Sequence, residues 1–236
     1  MTAIYKREMK AYFTTPIGYV VAALYLALTE TVFALTMLFS PESTQIDYYF
    51  LAQILIFIIM IPLLTMKLFS EERKMKTEQL LLTSPVGLSA MVFAKFAAAF
   101  TMFFGMFVLS TVINTAVLGA FGEVNYAVII GNGVGILLIG AAFCAVGCFF
   151  SSLTENQIVA AVSTITALGA LVGLNLINLF LSSGFLKSII SWISIWERYN
   201  DFTYGTLNLG SLIYFASFVV AFLFLTIRVF EKKRWA

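Results

Sequence analysis

The sequence contains no histidine. Its absence removes the usual general base, the commonest metal ligand and any histidine-ligated haem. Ser-His and Cys-His dyads and the H-E-x-x-H zinc motif go with it. Charge is scarce: Asp, Glu, Lys and Arg make up 11% of 236 residues, against about 25% in an average soluble domain. That leaves too little polar surface to cover a water-soluble particle of this size. A hydrophobic content of 61%, with 16% aromatic residues, points to an integral membrane protein. Neither sign of charge dominates: 14 Lys and Arg stand against 12 Asp and Glu, so no basic field calls for a nucleic-acid partner. The two cysteines, Cys144 and Cys148, lie a helical turn apart in an apolar run and read as small apolar residues, with neither a disulfide scaffold nor a metal expected. There is no G-x-x-x-x-G-K-[ST] loop to cradle ATP phosphates, and no close cluster of aspartates in or near a span to hold a divalent cation. The chain does not read as a self-contained enzyme.

Long apolar runs are what the sequence has in abundance. A helix rises ~1.5 Å per residue, so ~20 apolar residues cross a ~30 Å hydrocarbon core. Six stretches qualify: Ile17–Phe39, Tyr48–Phe69, Ser89–Leu118, Tyr126–Phe150, Gln157–Leu181 and Gly210–Phe230. The expected fold class is an all-α integral membrane protein with six transmembrane helices. The first run lacks a small-residue cleavage site and is too long for a signal-peptide core, so it reads as a retained helix. Lys and Arg in the connections set the orientation. With the N-terminus inside, Lys6, Arg7, Lys10, Lys67, Arg73, Lys74, Lys76, Arg228, Lys232, Lys233 and Arg234 fall on inner segments. Only Lys187 and Arg198 fall outside, and Lys95 lies within a span. An even number of spans then places both termini in the cytoplasm.

Three segments outside the spans carry information. In residues 1–16, helical spacing puts Tyr5, Met9, Tyr12 and Phe13 on one face and Lys6, Arg7 and Lys10 on another, with Pro16 ending the pattern. This fits a helix lying along the cytoplasmic interface; a plain positive flank is the simpler alternative. In residues 71–86, Glu72 and Lys76, and Lys74 and Glu78, are i,i+4 partners that favour a helix below the membrane. Leu80, Leu81 and Leu82 follow, and Ser84-Pro85 stops the element. Such a helix suits a knob that docks on a partner, or leucines resting among headgroups. In residues 182–209, Phe185, Ile189, Trp192, Ile193 and Trp196 share a face, which reads as an amphipathic or re-entrant helix at the outer interface. The polar, aromatic stretch from Glu197 to Gly210 follows it.

Ionisable groups within spans are functional candidates by default. Lys95 lies near the inner end of its span and can snorkel to the interface. Glu30 is harder to dismiss, because a carboxylate there needs a partner, a wet cavity or protonation; it lines a translocation path or bonds a neighbouring helix. Gly131 and Gly135, Ala141 and Ala145, and Gly169 and Gly173 are spaced for close helix packing, within the subunit or across a dimer seam. Asn114, Asn132, Asn175 and Asn178 are placed to hydrogen-bond across helices.

Three stretches in order, with the spans between them, resemble the permease subunit of ABC-2 type transporters, and most closely its branch of gliding-motility and copper-enzyme maturation permeases. They are YKREMKAYFTTPIGYV, SEERKMKTEQLLLTSPVGLSAMVFAKF, and ERYNDFTYGTLNLGSLIYF with the basic end EKKRW. The resemblance covers nearly the whole chain and implies a single transmembrane domain over residues 1–236 in the type V, ABCG-like exporter layout. It implies that Glu71, Glu72, Thr77, Glu78, Leu80, Leu81 and Pro85 fall on a coupling helix that docks in an ATPase subunit, with Lys95 and Phe96 at the end of that motif. It also implies a second permease copy or a paralogue, two ATPase subunits carrying ATP and Mg, lipid contacts, room for accessory subunits, no cofactor on this chain, and a prokaryotic plasma membrane. Glu30 matches no motif of the family. The rival readings are a stand-alone secondary transporter, which would need a mid-membrane ion site, and a membrane scaffold without ATP coupling.

Overall fold

Apolar runs too long for soluble helices, separated by short polar joints, leave the backbone few options. In a bilayer the chain satisfies its own N–H and C=O groups by forming helices. In the computed structural model every regular element among the described residues is α-helical. The structure describes residues 1–39, 46–79, 87–121, 125–180, 187, 191–192, 194–203, 205 and 208–235. In chain order the elements are α1 (Thr2–Thr14), α2 (Pro16–Phe39), α3 (Ile46–Thr65), α4 (Lys67–Lys74), α5 (Leu88–Phe121), α6 (Tyr126–Leu153), α7 (Gln157–Phe180), α8 (Ile195–Thr203) and α9 (Leu209–Trp235). Six helices are long and apolar enough to cross a membrane, the number expected from the sequence.

Local chemistry sets the first corner. Thr15 is extended (φ −98°, ψ 145°), as a residue before proline tends to be, and Pro16 begins α2 where its missing N–H has no intrahelical partner to lose. The two helices then approach so closely that a Cβ on Gly18 would lie 2.1 Å from the Tyr12 carbonyl oxygen. Backbone cannot yield as a side chain can. Gly18→Ala is therefore expected to push α1 off the bundle and lower the thermal midpoint by about 5 °C, read by scanning fluorimetry of the detergent-purified protein.

Helix α6 is the hub, packed by α3, α4, α5, α7, α8 and α9. Its Gly-, Ala- and Cys-rich middle is narrow enough to be enclosed on every side, and Ala142, Phe143, Cys144, Ala145, Val146, Gly147 and Cys148 are all buried. The outward surface is the reverse of a soluble protein's: Leu24, Ile59, Val112, Ile158, Val220 and Phe224 are exposed, as suits a lipid surround. Gly131 and Gly135 serve packing within the chain. A Cβ on Gly131 would lie 2.6 Å from Gly205 Cα, and one on Gly135 3.0 Å from Phe202. A Cβ on Gly169 or Gly173 would meet no described atom of another helix within 4 Å, so among the described residues the same spacing there serves no such contact.

The segment after α3 departs from expectation. The helix breaks at Met66, α4 ends at Lys74, and Lys76 takes a left-handed conformation (φ 57°) in the turn that follows. One continuous helix through residues 71–79 is therefore not formed. The i,i+4 pairs that argued for it are not made either, because Glu72 and Glu78 find cations elsewhere in the chain.

Candidate functional site

Most of the charged residues gather at one end of the bundle, around α4. The helix breaks at Met66, between α3 and α4, and side chains of other helices bond the backbone groups around the break. Ser151 of α6 accepts from Phe69 N (3.1 Å) and Ser70 N (3.3 Å) and donates to Met66 O (3.0 Å). Tyr12 of α1 donates to Leu64 O (2.8 Å), and Lys95 of α5 donates to Leu68 O. The α3–α4 joint is thus held by side chains of α1, α5 and α6.

A ring of alternating charges tightens this joint. Arg7 pairs with Glu8 (2.7 Å) and with Glu72, and Lys95 pairs with the same two carboxylates, Glu8 at 3.1 Å and Glu72 at 3.0 Å. Lys95 is fully enclosed, and its ammonium lies 5.1 Å from the centre of the Phe69 ring. This corrects the snorkelling expectation: the ammonium turns into the protein and finds carboxylates instead of headgroups. Burial works against the Arg7 charge, but the bond to Glu8 and the Glu72 and Glu8 charges outweigh it and raise its pKa. Burial likewise pushes the Tyr12 phenol well above its usual range.

The expected residues of this region divide. Glu71 is half exposed and 3.9 Å from Lys67, and Thr77 is exposed, so both face outward. Glu72 and Glu78 face inward: Glu78 accepts from Lys233 of α9 (3.0 Å), which also bonds Ser152 O (3.1 Å). Arg73 reaches Glu155 (3.1 Å) and Leu153 O (2.7 Å). Leu80, Leu81 and Pro85 lie outside the described residues. A cleft of about 350 Å³ opens between α1 and α4, lined by Arg7, Tyr12, Glu71, Glu72, Thr77 and Lys95. On α1, Tyr5 and Met9 pack on the core and Tyr12 is buried, but Phe13 is 54% exposed and meets the edge of the Tyr19 ring (6.4 Å). The shared aromatic face is therefore split between bundle and surroundings.

A second polar cluster lies far from this end. Glu30 of α2 accepts from Ser110 of α5 (3.0 Å), Ser110 meets Tyr49 of α3 (3.2 Å), and Asn114 donates to Tyr49 (2.7 Å). Of the two alternatives for Glu30, the bond to a neighbouring helix is made. Nearer the same end of α6, Tyr199 of α8 donates to Asn132 (2.5 Å), while Ile195, Tyr199 and Phe202 are buried. These α8 residues follow an i, i+4, i+7 pattern, so a helical period was present in a stretch that otherwise reads as polar loop. Trp192 is exposed and Trp196 packs on the core, whereas Phe185, Ile189 and Ile193 lie outside the described residues.

Six apolar helices closing around a small-residue hub define a multi-pass membrane protein. The chain belongs to the ABC-2 transporter family: the model described as ABC-2 family transporter protein matches residues 10–230. None of the curated proteins compared with the chain matches it.

Proposed function

We propose that this chain is the membrane-spanning permease subunit of an ATP-driven exporter in a prokaryotic plasma membrane, with both termini cytoplasmic. Two copies, or one copy and a paralogue, enclose the path. Two ATPase subunits beneath them carry ATP and Mg, and this chain performs no catalysis. The segment from Glu71 to Pro85 docks on the ATPase, presenting Glu71, Thr77, Leu80 and Leu81, while α1 lies at the cytoplasmic interface with its Lys6 and Lys10 toward headgroups and its Arg7 turned to Glu8 and Glu72.

The observation that carries this reading is how residues 67–79 are fastened. Ser151, Lys95, Arg7 and Lys233 tie that segment to α6, α5, α1 and α9. A rigid joint of this kind passes a displacement of the segment on to the spans instead of absorbing it. ATP closure of the partner would move the two coupling segments, and the spans would follow.

The test is a mild-detergent pull-down of the tagged full-length protein from its own membranes, with the co-purifying chains identified by mass spectrometry. A stoichiometric soluble subunit with a Walker loop is expected, and its loss on altering residues 71–85. A clean preparation without an ATPase, still moving solute in vesicles without ATP, overturns the reading in favour of a stand-alone carrier.

A further inference from the structure

We propose that Glu30 anchors a membrane-embedded binding site for a lipid-soluble organic cation. The inference rests on the permease reading only for the site's purpose, cargo recognition; binding itself does not require it.

Glu30 lies roughly 20 Å along α2 from Pro16, at ~1.5 Å per residue, deep within an apolar span. A carboxylate at that depth has to be paired, wetted or neutralised. The ion pairs among the described residues all use other carboxylates. The surrounding hydrogen bonds have a direction. Asn114 Nδ2 can only donate, and it gives to the Tyr49 hydroxyl at 2.7 Å. Tyr49 then has its own proton free for Ser110 (3.2 Å), and the Ser110 hydroxyl reaches both Glu30 (3.0 Å) and Thr29 Oγ1 (3.3 Å), the carboxylate being the nearer acceptor. Donation along this chain can run toward the carboxylate, an arrangement suited to a negative charge.

The cluster also has unused capacity. Asn114 is 3% exposed, yet among the described residues its Oδ1 has no hydrogen-bond partner. Asn114, Thr111, Tyr49 and Phe33 line a cavity of about 10 Å³, room for about one water-sized group. The bulk of a ligand therefore belongs on the outer side of Glu30. There Ala27 and Ala34, one turn before and after it on the same stripe, are exposed and leave space beside the carboxylate. One carboxylate cannot replace the several oxygens a hard metal cation needs. A single carboxylate open on one side can instead neutralise the one charge of an organic ammonium or phosphonium.

The probe is tetraphenylphosphonium, with tetraphenylborate as its anion of the same shape, added to the full-length protein in nanodiscs with empty discs subtracted. Saturable binding of the cation but not the anion is expected. Glu30→Gln should weaken it by about tenfold or more, and Glu30→Asp should retain most of it. Equal affinity in wild type and a monodisperse Glu30→Gln protein overturns the proposal. If Glu30→Gln fails to fold, Ser110→Ala decides: a loss of about threefold supports the site, and unchanged affinity overturns it. ATPase co-purification scored on the same wild-type sample reports separately on the permease reading, because Glu30-dependent binding survives the failure of that reading.

Discussion

Lys95→Met is expected to lower the thermal midpoint of the detergent-purified protein by about 10 °C. Removing one partner of a buried ion pair costs about 3–5 kcal/mol, and a domain of this size loses about 2–4 °C per kcal/mol. The variant leaves Glu8 and Glu72, both about 15% exposed, sharing the single guanidinium of Arg7, and it strips the Leu68 carbonyl of a charged donor. The decisive control is the double variant Lys95→Met, Glu72→Gln. That protein keeps a balanced Arg7–Glu8 pair, so it should recover more than half of the loss even though it has fewer charges. A Lys95→Met protein melting within about 2 °C of wild type would show that the ring does not hold α4 in place.

The same ring explains why part of this protein was legible in its sequence and part was not. The six spans were readable because apolar runs of that length have one physical outcome in a bilayer, and the α1–α2 corner because Pro16 restricts Thr15. The course of residues 66–79 was not. The i,i+4 rule treats Glu72 and Glu78 as free to pair along their own helix, whereas their partners are Arg7, Lys95 and Lys233, far away in sequence. Tertiary pairing outcompeted a local preference worth only ~0.3–0.5 kcal/mol. Lys95 misled for the same reason, since snorkelling is what a lysine does when no carboxylate is in reach. Glu30 was recognised by its cost alone. Its neighbours Ser110, Tyr49 and Asn114 come from two other helices, and no spacing in the chain announces them.

Leu81→Asp is expected to cut ATP-driven transport by about tenfold or more while leaving the thermal midpoint within about 2 °C of wild type. A carboxylate forced into an apolar docking contact removes an anchor of the kind worth at least about 2 kcal/mol, and a change confined to the docking surface leaves folding nearly untouched. Reversing Glu72 is a different experiment. Its carboxylate belongs to the ring, 3.0 Å from Lys95, so Glu72→Lys would set three cations against Glu8, and lost transport would then report a loosened fold as much as a failed contact. Exchanging the pair, Glu72→Lys with Lys95→Glu, restores the alternation and separates the two effects. If the exchanged protein regains both its midpoint and its transport, Glu72 acts by positioning α4. If it regains the midpoint alone, the Glu72 charge itself meets the ATPase. A Leu81→Asp protein that melts normally, retains its ATPase and transports at the wild-type rate would place the docking contact outside residues 71–85.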